Sequence, residues 1–286
     1  MSRRRTELLL GSLAHSDVPD AGKAERLLLL VAHPDDETIG ASAVLGRWPG
    51  AMVVYLTDGA PRDPQFRSPY VSGSRELYAC VRAEEAASAL ALVNISPERI
   101  VFLSGVDQEA IFHVRQIVEE WVPIVREFKP SVIITHAYEG GHPDHDTAAQ
   151  VARVGAQIAA RQTDSHPDLV EMTGYYAFEG KRMTGQFLNA PPLATSHIEA
   201  GVQLKMSIEE RKRKARMLGC YVSQWHVLSD FPLEPEKLRP APLYDFTRPP
   251  HEGPLWYETL RWPVTGALWR ELAAQVLAEL SELTCP

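Results

Sequence analysis

Four short, wholly apolar runs, each followed by a stretch with helical periodicity, are the feature of this chain that most limits its possible folds. Continuous runs of Val, Ile and Leu are typical of parallel strands covered on both faces. Strands that alternate with helices form right-handed βαβ units, so the pattern predicts an α/β fold with an open, doubly wound, mostly parallel sheet flanked by helices. The predicted strands are Arg26–Ala32, Met52–Thr57, Ile100–Leu103 and Ser131–His136.

The helices that cover this sheet are predicted from apolar residues at helical spacing. They are Thr38–Arg47, Ser74–Leu92, Gln108–Phe128, Asp144–Arg161, Ile208–Leu218 and Gly266–Leu283, and two further strands are predicted at Met172–Phe178 and Ile198–Leu204. The stretch Ser229–Pro263 is rich in proline and lacks periodicity, which predicts a wrapping loop or a lid and no core element. We expect one domain over residues 1–286, with a core at about 26–204 and a C-terminal elaboration over 205–286.

Charge and cysteine content narrow the class of protein. The formal net charge of −8 repels a polyanion, so we expect no nucleic-acid partner. The three cysteines, Cys80, Cys220 and Cys285, form no CxxC pair, which favours a reducing compartment and argues against a cysteine metal site. No apolar run is long enough to span a bilayer, and we predict a cytoplasmic protein without a transmembrane segment.

Two near-identical turns carry the chemistry. His33-Pro34-Asp35-Asp36 follows the first predicted strand, and His142-Pro143-Asp144-His145 follows the fourth. Ligands bind at the carboxyl ends of parallel strands, and the proline of each turn suits the first position of a helix. His166-Pro167-Asp168-Leu169 shares the first three residues but ends in leucine and follows a helix, so we interpret it as an ordinary turn.

The spacing within each turn predicts a metal site. Residues three apart at a helix start share one face, so His33 and Asp36 can reach one ion, and His142 and His145 likewise share a face. Two histidines and one aspartate leave a coordination position open for water, as in catalytic zinc sites. The spacing does not choose between His142 and His145 as the third ligand.

The remaining polar residues of the turns predict acid–base chemistry. Asp35 points away from the shared face, and a carboxylate beside the activated water is placed to act as a general base. The histidine that does not bind the metal is free to stabilise an oxyanion or to protonate the leaving nitrogen. Asp144 lies next to this histidine and is expected to fix which of its ring nitrogens carries the proton.

These motifs resemble those of the PIG-L/LmbE family of zinc-dependent N-acetylglucosaminyl de-N-acetylases. The resemblance rests on Ala32–Glu37 and His142–His145, over a matched region of roughly residues 26 to 160. Supporting matches are Leu56-Thr57-Asp58-Gly59, Arg82-Ala83-Glu84-Glu85 and, more weakly, Tyr221-Val222-Ser223-Gln224.

The resemblance implies a Rossmann-like fold and assigns roles by motif position. By this resemblance His33, Asp36 and His145 are the ligands of Zn²⁺ or of another divalent metal. Asp35 becomes the general base, and His142 the residue that supports the oxyanion or acts as an acid, with Asp144 behind it. The resemblance also implies that Arg82 binds substrate; the alternative is an arginine paired with a local acid.

The chain departs from the family pattern just before the second turn. Some relatives carry a tyrosine there that assists the tetrahedral intermediate, whereas this chain has Gly140-Gly141, preceded by Tyr138-Glu139. The role of this tyrosine is therefore left open by the sequence, and another side chain is a candidate for it. Glu139 is a candidate for binding a sugar hydroxyl. The alternative is that Glu139 is simply an exposed carboxylate of the loop. His136, at a strand end, is interpreted as a hydrogen-bonded structural histidine; the alternative is a residue that supports the metal ligands.

The predicted function is metal-dependent removal of an N-acetyl group from a small amino-sugar-containing substrate, such as a glycoconjugate, a thiol precursor or a natural product. One alternative is an amidase for a larger N-acyl or thiol-conjugate substrate. The other is a non-catalytic, Rossmann-like binding protein, although the first turn contains no GxGxxG loop for a dinucleotide.

Overall fold

The protein is built on a twisted seven-stranded sheet with a separate two-stranded hairpin. The computed structural model describes residues 6, 10, 11, 26–163, 166–188, 201–260 and 262–282. The strands in this part of the chain are β1 (Leu27–Val31), β2 (Met52–Thr57), β3 (Ile100–Gly105), β4 (Val132–His136), β5 (Asp168–Met172), β6 (Tyr175–Phe178), β7 (Lys181–Thr184), β8 (Val202–Gln203) and β9 (Lys237–Pro240). The large sheet has the order β3-β2-β1-β4-β5-β9-β8, and β6 pairs with β7 alone.

The central strands are apolar throughout because both of their faces are buried. Leu27, Leu29 and Val31 of β1 point into one core cluster, whereas Leu28 and Leu30 point into a second cluster on the opposite face. β1 to β5 pair in parallel, in the manner expected of a sheet covered on both sides. The predicted α/β class is confirmed.

Helices cover both faces of the sheet. They are α1 (Asp36–Arg47), α2 (Arg75–Ala91), α3 (Val114–Phe128), α4 (Pro143–Gln162), α5 (Ile208–Cys220), α6 (Trp225–Leu228), α7 (Trp256–Thr259) and α8 (Gly266–Glu282), with 3₁₀ turns at Pro64–Phe66, Pro97–Arg99, Ala110–His113 and Val222–Gln224. Helices α1, α2 and α5 contribute to the first core cluster, and α3, α4 and α8 to the second. The helix predicted from Gln108 begins only at Val114, because a 3₁₀ turn precedes it. Within the described residues, none of the helices combines the length and the apolar character that crossing a membrane would need.

The C-terminal part of the chain completes the main sheet, so the prediction that Ser229–Pro263 holds no core element is wrong. β9 lies within this stretch and pairs antiparallel with both β5 and β8. Leu238 of β9 is buried in the first core cluster, and the buried charge of Arg239 is paired: its Nε donates to Glu171 Oε1 at 2.5 Å, with the arginine 4% exposed and the glutamate fully buried. The sequence Lys-Leu-Arg-Pro therefore fills an interior position without an apolar pattern.

Two other predicted elements differ from the structure. Met172–Phe178 is not one strand, because the chain leaves the main sheet at Met172 and starts the β6–β7 hairpin at Tyr175. Asp168 and Leu169, assigned to an ordinary turn, begin β5 and pair with β4. The predicted strand Ile198–Leu204 begins outside the described residues; within them, Val202–Gln203 is the part that is extended.

Candidate active site

Both His-Pro-Asp turns lie where the strand order of the sheet reverses. β1 pairs with β2 on one side and with β4 on the other, and all three strands are parallel. The connections that follow two such central strands leave toward opposite faces, which opens a crevice at the carboxyl edge of the sheet. The first turn joins β1 to α1 and the second joins β4 to α4, so both turns reach this crevice.

His33, Asp36 and His145 converge in the crevice, with one ligand atom from each lying within 4.8 Å of the others. Asp36 Oδ2 lies 3.3 Å from His33 Nδ1, and Asp36 Oδ1 lies 3.2 Å from His145 Nε2. Burial opposes ionisation of Asp36, but the neighbouring His145 and His136 hold its pKa well below the ordinary value. Two imidazole nitrogens and one carboxylate oxygen are donors that suit zinc and similar divalent ions, so these residues fit a metal site.

The carboxylate of Asp144 lies behind His33. Asp144 Oδ2 is 3.1 Å from His33 Nε2 and accepts the backbone N–H of Gln108 at 2.6 Å. If His33 binds a metal ion through Nδ1, its ring proton must reside on Nε2, from which it can be donated to Asp144. This arrangement orients a metal-binding histidine and increases its basicity. The sequence analysis assigned Asp144 to His142, whose Nδ1 lies farther away, at 3.9 Å.

His142 presents its Nε2 atom toward the crevice. Its Nδ1 accepts the backbone N–H of Asp144 at 3.1 Å, so the proton of the neutral ring is on Nε2. Burial and the nearby His33 and His145 hold the pKa of His142 well below its ordinary value. His142 is therefore a neutral hydrogen-bond donor, and its Nε2 lies 3.9 Å from Asp107 Oδ1.

Asp35 occupies a conformation that is rare for a residue with a side chain. Its φ angle is 134°, and its carboxylate is held by Arg82 Nη2, 3.0 Å from Asp35 Oδ2. Burial raises the pKa of Asp35 to about 7, although the positive charge of Arg82 opposes this rise. A carboxyl group with a pKa near neutrality is suited to general acid–base catalysis.

Arg82 lies beneath the first turn, with only 2% of its surface exposed. Besides Asp35, its Nη2 donates to the carbonyl oxygen of Pro34. A Cβ on Gly59 would lie 2.9 Å from both Arg82 Nε and Pro34 Cδ, so glycine at this position allows the arginine to pass. The substrate-binding role of Arg82 stays a prediction, and these contacts instead favour a role in holding Asp35.

Glu139 is also buried, at 2% exposure. Its Oε1 accepts the backbone N–H of Gly174 at 3.1 Å, and a Cβ on Gly174 would lie 2.9 Å from this oxygen and 3.7 Å from His145 Nδ1. Burial and the neighbouring acids Glu171 and Asp146 raise the pKa of Glu139 well above its ordinary value. The reading as an exposed loop carboxylate is wrong, and contact with a substrate stays a prediction.

Comparison with known proteins identifies the part of the chain that forms this site. Residues 28–155 match the family model described as PIG-L, GlcNAc-PI de-N-acetylase. The match covers slightly less than half of the chain. The matched segment includes both turns, Arg82 and Glu139.

Curated relatives match over a similar stretch. A protein named 1D-myo-inositol 2-acetamido-2-deoxy-alpha-D-glucopyranoside deacetylase 1, from Catenulispora acidiphila, is 33% identical in an alignment 162 residues long, which covers 48% of this chain and 50% of the relative. A 1D-myo-inositol 2-acetamido-2-deoxy-alpha-D-glucopyranoside deacetylase from Streptomyces scabiei is 28% identical in an alignment 188 residues long, which covers 54% of this chain and 58% of the relative. The chain thus spans about half the length of the curated relatives that it matches.

Solved structures share the fold of much of this chain. The zinc-inhibited form of teicoplanin deacetylase Orf2 aligns with a TM-score of 0.51 at 15% identity, covering 77% of this chain and 99% of that one. N,N'-diacetylchitobiose deacetylase from Pyrococcus horikoshii aligns with a TM-score of 0.54 at 16% identity, covering 84% and 92%. At these identities the likeness is one of fold.

Residues that the sequence analysis did not single out also line the crevice. Asp107, just after β3, lies 3.3 Å from His33 Nε2, and its position at a strand end was a usable signal. Tyr175 of β6 places its ring 5.3 Å from that of His145. Burial and the charge of Asp36 raise the pKa of Tyr175, so its hydroxyl remains a donor. No sequence motif pointed to Tyr175, which lies beyond the segment that matches the family model.

His136 is the structural histidine that the sequence analysis expected, but it lies at the site. Its Nε2 accepts the backbone N–H of Ala32 at 3.1 Å, and its ring stacks on that of His145 at 4.0 Å. This packing fixes the plane of a candidate metal ligand.

Proposed function

We propose that the protein is a zinc-dependent hydrolase that removes the N-acetyl group of an amino-sugar-containing substrate. The observation that carries the proposal is the convergence of His33, Asp36 and His145 within 4.8 Å, with the carboxylate of Asp35 beside them in the same turn. The names of the curated relatives support an N-acetylated amino sugar as the class of substrate. We further propose that residues 1–286 form one domain. The free thiols of Cys80 and Cys220 support a reducing compartment such as the cytoplasm.

His33, Asp36 and His145 would hold the metal ion. Zinc bound there supplies Lewis-acid activation of the acetamide carbonyl and of a water molecule. The residues of the chain then have separable tasks, which follow from their hydrogen bonds.

Asp35 is proposed as the general base. Arg82 fixes its carboxylate from one side, so the other oxygen is available to take a proton from the attacking water. Water oxygen adds to the acetyl carbon, the C–N bond breaks, and the proton returns from Asp35 to the leaving nitrogen, which leaves acetate and an amine. With its pKa near 7 in the folded chain, Asp35 can both accept and return this proton.

His142 is proposed to donate its Nε2 proton to the carbonyl oxygen as negative charge develops there. Its Nδ1 is occupied by a backbone donor, which disfavours the doubly protonated ring. His142 therefore stabilises charge by hydrogen bonding, a contribution that is typically about 10²–10³-fold in kcat for one such donor. Asp144 orients His33 rather than exchanging protons with the substrate.

The test is release of amine and acetate from a panel of N-acetylated sugars and glycoconjugates by metal-restored protein. The expected result is acetate formation in equal amount to the free amine, and none with His33→Ala, which should not retain zinc in elemental analysis. Release of a larger acid from N-acyl conjugates, with no acetate, would identify an amidase. Substrate binding without any released acid would identify a binding protein, and either result would refute the deacetylase proposal.

A further inference from the structure

The conformation of Asp35 has to be imposed by its surroundings. A φ of 134° places its backbone outside the regions that residues with side chains favour. Two groups hold it. Its backbone N–H donates to Glu37 Oε2 at 3.1 Å, and its carboxylate pairs with Arg82.

Glu37 is itself held from a distant part of the chain. It is fully buried, and its Oε1 accepts the hydroxyl of Tyr221 at 2.6 Å, from a residue 184 positions away. Thr38 also donates to Oε1. Because Oε1 is fixed by two hydroxyls, Oε2 is directed at the N–H of Asp35.

Arg82 is held by the same distant segment. Its Nη1 lies 3.4 Å from Ser223 Oγ, and Ser223 binds Glu85, one helical turn after Arg82, with both its N–H at 2.7 Å and its hydroxyl at 2.6 Å. Arg82, Glu85 and Ser223 are all buried. The segment Tyr221–Gln224 thus ties α2 to the turn that carries Asp35, and Gln224 adds a bond to Tyr78 of α2 at 2.7 Å.

We propose that Tyr221 and Ser223 are positioning residues for Asp35, with Tyr221 acting through Glu37 on its backbone and Ser223 acting through Arg82 on its carboxylate. The proposal rests on the function proposed above, in which Asp35 is the base. Both residues lie beyond the segment 28–155 that matches the family model. The second half of the chain therefore supplies part of the catalytic geometry, and its role is larger than shaping a substrate pocket.

The test compares Tyr221→Phe and Ser223→Ala with Tyr244→Phe. The control removes a hydroxyl that also binds a buried glutamate, Glu171, at 2.7 Å, but in a cluster that does not contact Asp35. We expect kcat to fall roughly tenfold in Tyr221→Phe and Ser223→Ala, with KM and zinc content unchanged, because each variant loses a hydroxyl that is hydrogen-bonded to a charged group. The Tyr244→Phe control should keep the kcat of the parent, while its melting temperature should fall by about as much as that of Tyr221→Phe.

Two further measurements separate positioning from general loss of structure. In an Asp35→Asn background the Tyr221→Phe change should have no further effect on kcat, since residues that act as one unit are not additive. Hydrogen exchange needs neither metal nor substrate: in Tyr221→Phe, the amide of Asp35 should exchange about tenfold faster or more, and peptides over residues 33–39 report it.

Each outcome decides one of the two proposals. If the parent protein releases no acetate, the deacetylase proposal fails, and exchange at Asp35 alone decides the positioning proposal. Unchanged kcat in an active Tyr221→Phe protein, or additive losses in the double variant, would overturn the positioning role. So would equal exchange at residues 33–39 in Tyr221→Phe and Tyr244→Phe. If Tyr221→Phe does not fold, Ser223→Ala decides by the same criteria.

Discussion

The Asp144→Asn substitution should weaken zinc binding although Asp144 is not a proposed ligand. Its carboxylate is fully buried and accepts three hydrogen bonds: from His33 Nε2 at 3.1 Å, from the N–H of Gln108 at 2.6 Å and from the N–H of Ala110 at 3.2 Å. An asparagine keeps only one acceptor oxygen, so its NH₂ group must face either the His33 side or Ala110. Loss of such a carboxylate behind a metal-binding histidine raises the metal Kd by roughly 10- to 100-fold, or about 1.4–2.7 kcal/mol.

The assay is competition for zinc with a chelator of known affinity, with protein concentration and pH held constant. Asp146→Asn is the matched control, because Asp146 is equally buried in the same turn of α4 and its Oδ1 accepts only the backbone N–H groups of Glu139 and Gly140. Burial raises the pKa of Asp146 to about 8, so the amide resembles its protonated form at neutral pH. This variant should bind zinc with the affinity of the parent.

A different result would refute the assigned orientation of Asp144. If zinc affinity stayed within about twofold of the parent while kcat fell, the carboxylate would act through His142, as the sequence alone had indicated. Equal weakening in Asp144→Asn and Asp146→Asn would show a general loss of structure in α4. Melting temperatures of the metal-free proteins separate these cases.

Three other changes follow from the described contacts. Asp35→Asn should retain zinc in elemental analysis and lose turnover by about a hundredfold or more, the contribution of a general base; unchanged turnover would remove Asp35 from that role. Tyr175→Phe should lower kcat roughly tenfold with little change in KM if its hydroxyl donates to the developing charge, and steady-state kinetics that show a change in KM alone would assign it to ground-state binding. Lys214→Met leaves the fully buried Glu236, 2.8 Å from Lys214 Nζ, without its charge partner, and urea unfolding should show a loss of about 3–5 kcal/mol; a loss below about 1 kcal/mol would contradict the importance of this pair.

The parallel half of the sheet was predictable because its strands are apolar on both faces. Met52–Thr57 was predicted with the observed bounds, and the other three early strands differ by one or two residues. β9 was not predictable, since Lys237–Pro240 has neither alternation nor an apolar run. Its place is secured by a partner 68 residues earlier, the pair of Arg239 with Glu171, and single-sequence patterns do not report such pairings.

The sequence was sufficient to predict which residue types form the site and at which strand ends they lie. Spacing within the two turns indicated which side chains can share a metal, and the structure brings His33, Asp36 and His145 together. The orientation of Asp144 toward His33, and the burial of Arg82 under Asp35, depend on how α4 and α2 sit on the sheet, which spacing does not encode. Tyr175 enters from a hairpin whose course is set by tertiary packing.

Pairing with β9 also protects β5 from other molecules. A chain shortened to the part that carries the two turns would leave the outer edge of β5 open, with unpaired backbone groups beside Val170 and Met172, which are now 1% exposed. Open, apolar strand edges are the usual starting points of intermolecular sheet growth. Fragments that end before residue 237 should therefore be prone to self-association through this edge when they are expressed.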